Sequence, residues 1–331
     1  MLFIISNICE YYFIQYHFII SIFKIFLFYL NAIATFTLNC SSKIEITHKN
    51  KSSMKRLIIS FTLLVCLLVT AGSCINIVGQ GVTPSKNYVS KKVNVGDFKG
   101  ISTSCSIDVI YTQTSGDRNV EIYTSDNILP YIVVEVKGDV LNVRMKDNTR
   151  ITSVGPHKME VRVSAPAVDM LSASSSGDVI LKNGLNNNGN VSLRASSSGD
   201  IKGGDVHCKT LDASSSSSGD ILLGNVKCEN LNVECNSSGD FKLNMLECKD
   251  VRSNSSSSGD VTLSGVCNIA YYNASSSGDI NASDLKAKVV EARASSAGDI
   301  KCYASQSIKG SRSSAGNISF SGNPAQIDIR K

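Results

Sequence analysis

The heptapeptide ASSSGDI at Ala274–Ile280 recurs as ASSSGDV at Ala173–Val179, ASSSGDI at Ala195–Ile201 and SSSSGDV at Ser255–Val261. With its weaker copies, the motif glycine falls at Gly177, Gly199, Gly219, Gly239, Gly259, Gly278, Gly298 and Gly316, at intervals of 22, 20, 20, 20, 19, 20 and 18 residues. A fixed period of this length marks a solenoid. Each unit is too short for two packed helices and carries isolated Val, Ile and Leu between polar residues, so it divides into three short β segments. The sequence therefore predicts an all-β, right-handed, single-stranded parallel β-helix with roughly 20-residue coils. Adjacent coils pair at about 4.8 Å, so the eight repeats form a rod of roughly 35–40 Å.

Aligning the coils converts the repeat into columns. Immediately after the motif aspartate stand Val179, Ile201, Ile221, Phe241, Val261, Ile280 and Ile300, an inward apolar ladder. Four residues before the glycine stand Ala173, Ala195, Ser215, Cys235, Ser255, Ala274 and Ala294. Eleven residues before it stand Cys208, Cys228, Cys248 and Cys267, then Ala287. Size is kept while identity changes, as a narrow interior demands where equivalent side chains stack directly.

The aspartates Asp178, Asp200, Asp220, Asp240, Asp260, Asp279 and Asp299 form a further column, ended by Asn317. They read as a surface ladder of corner residues, with glycine permitting the tight turn and Asp and Ser accepting from corner amides. The other reading is a calcium ladder, since stacked carboxylates about 5 Å apart repel unless screened. Known calcium rolls use a nine-residue GGxGxD turn, whereas one Gly-Asp per 20 residues stands here. Ser217, at one such corner, is expected to face solvent and to accept threonine with little change.

Cys208, Cys228, Cys248 and Cys267 are expected as small buried thiols of the structural core, with one or two cross-rung disulfides as the alternative. No CxxC pair occurs and His207 is the only histidine near them, so no zinc site is expected. Enzyme chemistry also lacks a place. Every motif aspartate sits in an equivalent position, whereas glycoside cleavage needs two carboxylates in different environments. The serines have no recognisable base beside them. No catalytic residue, metal or cofactor is expected.

The start of the chain reads differently. Residues 1–53 are crowded with Phe, Ile and Tyr, and Met54 opens a second start, MKRLIISFTLLVCLLVTAGSC, with Lys55 and Arg56 before a short apolar run and small residues before Cys74. That is the layout of an export signal, and its end resembles a bacterial lipoprotein signal with Ala71 where leucine is usual. Five regions follow: 1–53, an upstream segment outside the translated protein; 54–73, the signal; 74–93, a tether with some strand character near its end; 94–168, an N-terminal β region; 169–331, the β-helix. Two membrane spans, 11–38 and 57–70, are the alternative, disfavoured by Lys24 and by the shortness of the second run. Lipidated Cys74 would then anchor the chain to a membrane, in the cell envelope and on the outer membrane, with the facing side left open.

The chain carries 33 basic and 28 acidic residues, a formal net charge of +5. Residues 1–73 hold six of the basic and two of the acidic ones, which leaves +1 for the remainder. Neither a basic excess nor an arginine cluster offers a surface for nucleic acid.

From Val93 the strands SIDVIYTQ, RNVEIYT, YIVVEV, VLNVRMKD and HKMEVRVSA alternate without strict period, as a small sandwich or as wide first turns of the solenoid. The run DFKGISTSCSIDVIYTQTSGDRNVEIYTSDNILPYIVVEVKGDVLNVRMKDN, the SSSGD units and the closing GNISFSGNP together resemble the auto-transporter adhesin head GIN domain family. The resemblance covers about Val95 to the C terminus. It implies a β-helical, exported envelope protein and assigns no catalytic residue. The expected function is a noncatalytic adhesin that binds a glycan or an envelope component, the alternative being an envelope scaffold without a dedicated ligand.

Overall fold

The computed structural model describes residues 81–152 and 157–331. The expected export signal, Cys74 and the first part of the tether lie outside the described residues. What is described is all-β apart from one short 3-10 turn at Leu129–Tyr131, and its strands stack in parallel as a β-solenoid.

Each coil runs through two principal strands joined at the serine corner. Before the corner, Met170–Ser174, Asn190–Ser196, Thr210–Ser216, Asn230–Asn236 and Asp250–Ser257 stack in parallel register. After it, Val179–Leu181, Ile201–Gly203, Ile221–Lys227 and Phe241–Glu247 do the same. From Asp260 onward the two merge, and single strands of 17, 16 and 14 residues bend round the coil: Asp260–Ser276, Asp279–Ala294 and Asp299–Arg312. Asn317–Ser321 and Gln326–Arg330 make the last turn.

The columns stack as the repeat dictates. Ile201 pairs with Val179 and Ile221, Ile221 with Phe241, Phe241 with Val261, Val261 with Ile280, and Ile280 with Ile300. All seven are buried. A fully buried side chain of this size contributes about 1.5–3 kcal/mol, so this one ladder is a major source of stability. The small column is continuous too, from Ala173 through Ala195, Ser215, Cys235, Ser255 and Ala274 to Ala294. Its polar members are satisfied inside the coil: Ser215 donates to the Cys235 sulfur at 3.0 Å, and Ser255 donates to the Gly259 carbonyl.

The described strands between 94 and 168 form the wide first turns rather than a separate sandwich, and here spatial order departs from chain order. Gly100–Thr103 lies between Val140–Met145 and Met170–Ser174, parallel to both. Asp108–Gln113 likewise lies between Met159–Ala165 and Val179–Leu181. The coil at 140–165 thus stacks outside the coil at 100–113, and the chain returns past it to begin the regular repeat. Antiparallel strands then close this end. Ile132–Lys137 pairs with Val140–Met145, Asn119–Ser125 with Met159–Ala165, and Tyr88–Val93 with Asn119–Ser125. The strand character near the end of the expected tether is this last, six-residue strand. Lys91 and Lys92 are exposed on it, and charged side chains on an outer strand discourage pairing with another chain.

Candidate functional site

The repeated corner is the first place to look for chemistry, and its residues divide the work differently from the sequence expectation. None of the motif glycines adopts positive φ; the serine two positions before each glycine is left-handed, at Ser175, Ser197, Ser217, Ser237, Ser257, Ser276, Ser296 and Ser314, and at the first three corners the next serine, Ser176, Ser198 or Ser218, is left-handed as well. Glycine is required for another reason. A Cβ on Gly199 would lie 2.5 Å from Ser174 N, and one on Gly239 would lie 2.5 Å from Ser216 N. The corner presses directly on the backbone of the preceding coil.

The same corner occurs once earlier, without glycine. In STSCSIDV, Cys105 and Ser106 take the left-handed φ values of 65° and 59°, and Ile107 holds the glycine position. The corner Asp108 then begins the aspartate column, one coil before the first SSSGD motif.

The column itself is a relay. Asp178 N–H donates to Asp108 Oδ1 at 3.1 Å, Asp200 N–H to Asp178 Oδ1 at 3.0 Å, Asp220 N–H to Asp200 Oδ1 at 3.0 Å, and Asp240 N–H to Asp220 Oδ1 at 3.0 Å. Asp260 and Asp299 repeat the contact with Asp240 and Asp279 at 3.1 Å. Each carboxylate therefore caps the next corner. The relay breaks at Asp279 and at Asn317, whose amides donate to the Gly259 and Gly298 carbonyls. Those are the coils of 19 and 18 residues; the pattern persists at intervals of 20 and 22.

Electrostatics follow from this packing. Partial burial holds the carboxyls of Asp108, Asp220 and Asp260 above their ordinary range, and neighbouring ladder carboxylates add to the effect. Lys202 lies 2.9 Å from both Asp178 Oδ2 and Asp200 Oδ2 and offsets the charge there; hydrogen bonds to Asp200 and Asp178 push its own pKa up.

The cysteine column is also brought together. Cys228, Cys248 and Cys267 are buried, Cys208 is partly so, and all are free thiols. Cys228 Sγ lies 3.6 Å from Cys248 Sγ on the next coil. The single S–H of Cys248 has two carbonyls in reach, Glu229 at 3.2 Å and Asp250 at 3.0 Å. Burial pushes the thiols of Cys208 up to about 11 and of Cys267 up to about 12, and the bond to Cys248 together with burial pushes Cys228 up as well. Thiols held in this state are poor nucleophiles. Among the described residues, no group of three His, Cys, Asp or Glu side chains is placed to hold a metal ion.

Two surface clefts differ in what they leave available. One is lined by Gln113, Asn183, Asn186 and His207, but two of its amides are engaged with backbone: Gln113 Nε2 donates to the Asn186 carbonyl, and Asn183 Nδ2 to the Gln113 carbonyl. The other lies on the outer face of the late coils and is lined by Arg252, Tyr271 and Glu291, which fall in one register column continued beyond the cleft by Lys309. Arg252 sits 5.0 Å over the Tyr271 ring. The sequence reading missed this cluster because it followed the residues that repeat. The signal was the tyrosine pair in NIAYYNA and the spacings from 252 to 271, 291 and 309, which copy the glycine intervals of 19, 20 and 18.

Fold and site together define a parallel β-solenoid whose repeated polar residues are engaged in holding coil to coil, with no constellation suited to catalysis among the described residues. The chain belongs to the family described as "Putative auto-transporter adhesin, head GIN domain", whose model matches residues 97–227 and 222–324. Among solved structures, a "putative adhesin" from Parabacteroides distasonis is 21% identical and matches with a TM-score of 0.58, covering 76% of this chain and 98% of that one. A "putative adhesin" from Parabacteroides merdae is 19% identical, with a TM-score of 0.58 and coverage of 76% and 98%. A "Putative lipid binding protein" from Parabacteroides distasonis is 19% identical, with a TM-score of 0.51 and coverage of 76% and 99%. At these identities the likeness concerns the fold. No curated protein matches the sequence.

Proposed function

We propose that the protein is a noncatalytic adhesin of the cell envelope, which presents the outer faces of its solenoid to a glycan or another envelope component. The family match over residues 97–324 carries this reading. The corner relay supports it from the physical side. With Oδ1 of most ladder aspartates engaged by the next coil, the column Asp178, Asp200, Asp220, Asp240, Asp260, Asp279 and Asp299 acts as a spine that keeps the faces flat and in register. Repeated weak contacts along such a face gain strength through avidity. Membrane attachment through lipidated Cys74 completes the proposal, with the outer membrane as its location.

A glycan array probed with detergent-extracted full-length protein tests the adhesion reading. Saturable, sequence-dependent binding is expected; absence of binding across broad glycan and envelope-polymer panels would replace it with a ligand-free scaffold. Mass spectrometry tests the anchor: the mature chain should begin at acylated Cys74, and Cys74→Ala should lose lipid labelling. Peptides from residues 1–53 in the mature protein would overturn it.

A further inference from the structure

Arg252, Tyr271 and Glu291 occupy one outward column on three successive coils, and Asn254, Asn273 and Arg293 occupy a neighbouring column on the same coils. These six line a shallow cleft of about 240 Å³, below the range of drug-sized pockets and suited to about one sugar ring. The cleft interrupts the repeat. On the two preceding coils the first column holds Asp212 and Asn232, which bond to each other at 2.7 Å and leave no aromatic surface.

The charges of the cleft are unequally matched. Glu291 lies 3.6 Å from Arg293, so those two offset each other. Arg252 has the Tyr271 ring beneath it, and among the described residues no carboxylate stands within ion-pair distance of its guanidinium. Stacking on a ring leaves the in-plane N–H groups of a guanidinium free, and their fork matches a carboxylate in bidentate geometry. Asn254 and Asn273 add paired donors and acceptors, and Glu291 adds an acceptor suited to hydroxyl groups.

We infer that this cleft is a subsite for an acidic sugar, a uronate whose carboxylate pairs with Arg252 while its ring packs beside Tyr271 and its hydroxyls bond to Asn254, Asn273 and Glu291. A phosphate ester fits less well, because its dianionic group meets more repulsion from the Glu291 carboxylate than the single charge of a uronate does. A neutral sugar leaves Arg252 without its counter-charge. The inference rests on the adhesion reading and locates it on one face of the late coils.

The test uses full-length protein in detergent with three probes: a galacturonate oligosaccharide, its methyl ester and the matching galactose oligosaccharide, each titrated by calorimetry. Galacturonate should bind at least tenfold more tightly than either neutral probe, and added salt should weaken it. Arg252→Gln should abolish that preference, and Tyr271→Ala should weaken all binding, while Asp212→Asn, two coils away, should change neither. Circular dichroism of each variant establishes that the strands are retained. Equal affinity for the charged and neutral probes, no measurable galacturonate binding, or binding that survives both Arg252→Gln and Tyr271→Ala would overturn the subsite. If array glycans still bind when this cleft fails, the adhesion proposal stands and its surface lies on another face; if no glycan or envelope polymer binds, both fail.

Discussion

A Cβ on Gly219 would lie 2.4 Å from Ser196 N and 2.7 Å from Ser196 Cα. Backbone cannot yield as a flexible side chain can, so Gly219→Ala should cost about 3 kcal/mol and open the stack locally. Two residues earlier the constraint is different in kind. Ser217 is exposed but has φ of 49°, so the expected tolerance for threonine does not follow from exposure alone. Left-handed backbone costs an L-residue roughly 1–2 kcal/mol, and a β-branched one fares worst. Ser217→Thr should therefore lower the thermal midpoint by a few degrees, while Ser217→Gly should be close to neutral.

Asp220 gives a prediction in pH. Its folded pKa is raised by burial and by Asp200 and Asp240, so the folded state is penalised when the group is charged. Stability linked to it falls as pH rises through the raised pKa and recovers below it. Asp220→Asn keeps an acceptor for the Asp240 amide and removes the charge. The variant should melt at or above the parent at pH 7, and its advantage should shrink as pH falls toward about 4. An advantage that grows on acidification would mean that the ladder charge is stabilising.

At the scale of strands, the unit of stability is the column. Cys228 faces Cys248 at 3.6 Å in a row built for thiols and alanine, so Cys228→Trp should cost at least about 1–3 kcal/mol and disturb the coils on both sides. Thiol labelling reads the same geometry without mutation. Cys105 is exposed at its corner, while Cys235 and Cys302 are buried and their thiols are pushed up to about 12. Native protein should label first at Cys105, with Cys235 and Cys302 reacting after unfolding. Rapid native labelling of Cys235 would mean that the interior row is open.

For the whole solenoid, the relay of aspartates substitutes backbone amides for a screening cation. Each acceptance of an N–H by a carboxylate is a charge-assisted bond, stronger than a neutral one, and it repeats along the stack. Thermal midpoints measured with calcium and with chelator should agree within about 3 °C, equivalent to roughly 1 kcal/mol. A large loss of strand signal on chelation would make the column a metal site. The two ends are treated differently: antiparallel strands cover the coil at 140–165, whereas Asn317–Ser321 and Gln326–Arg330 lie on the last turn, with Ile327 among the exposed apolar residues.

The order of residues by itself determined the coil, its period and the inward columns, because parallel stacking places each residue on its equivalent and the period writes that relation directly into the chain. It also determined that Ser, Gly and Asp meet at the corner. Which of them bears the left-handed φ, and which meets the preceding coil, depended on how close one coil lies to the next, a distance no single repeat contains. The same holds for the insertion of the coil at 100–113 between 140–165 and the regular repeat. That reversal of order joins segments 40 and 70 residues apart, beyond the reach of any local pattern. The Arg252 and Tyr271 cluster belongs with these. Its residues break the repeat, and only the tertiary register sets them side by side.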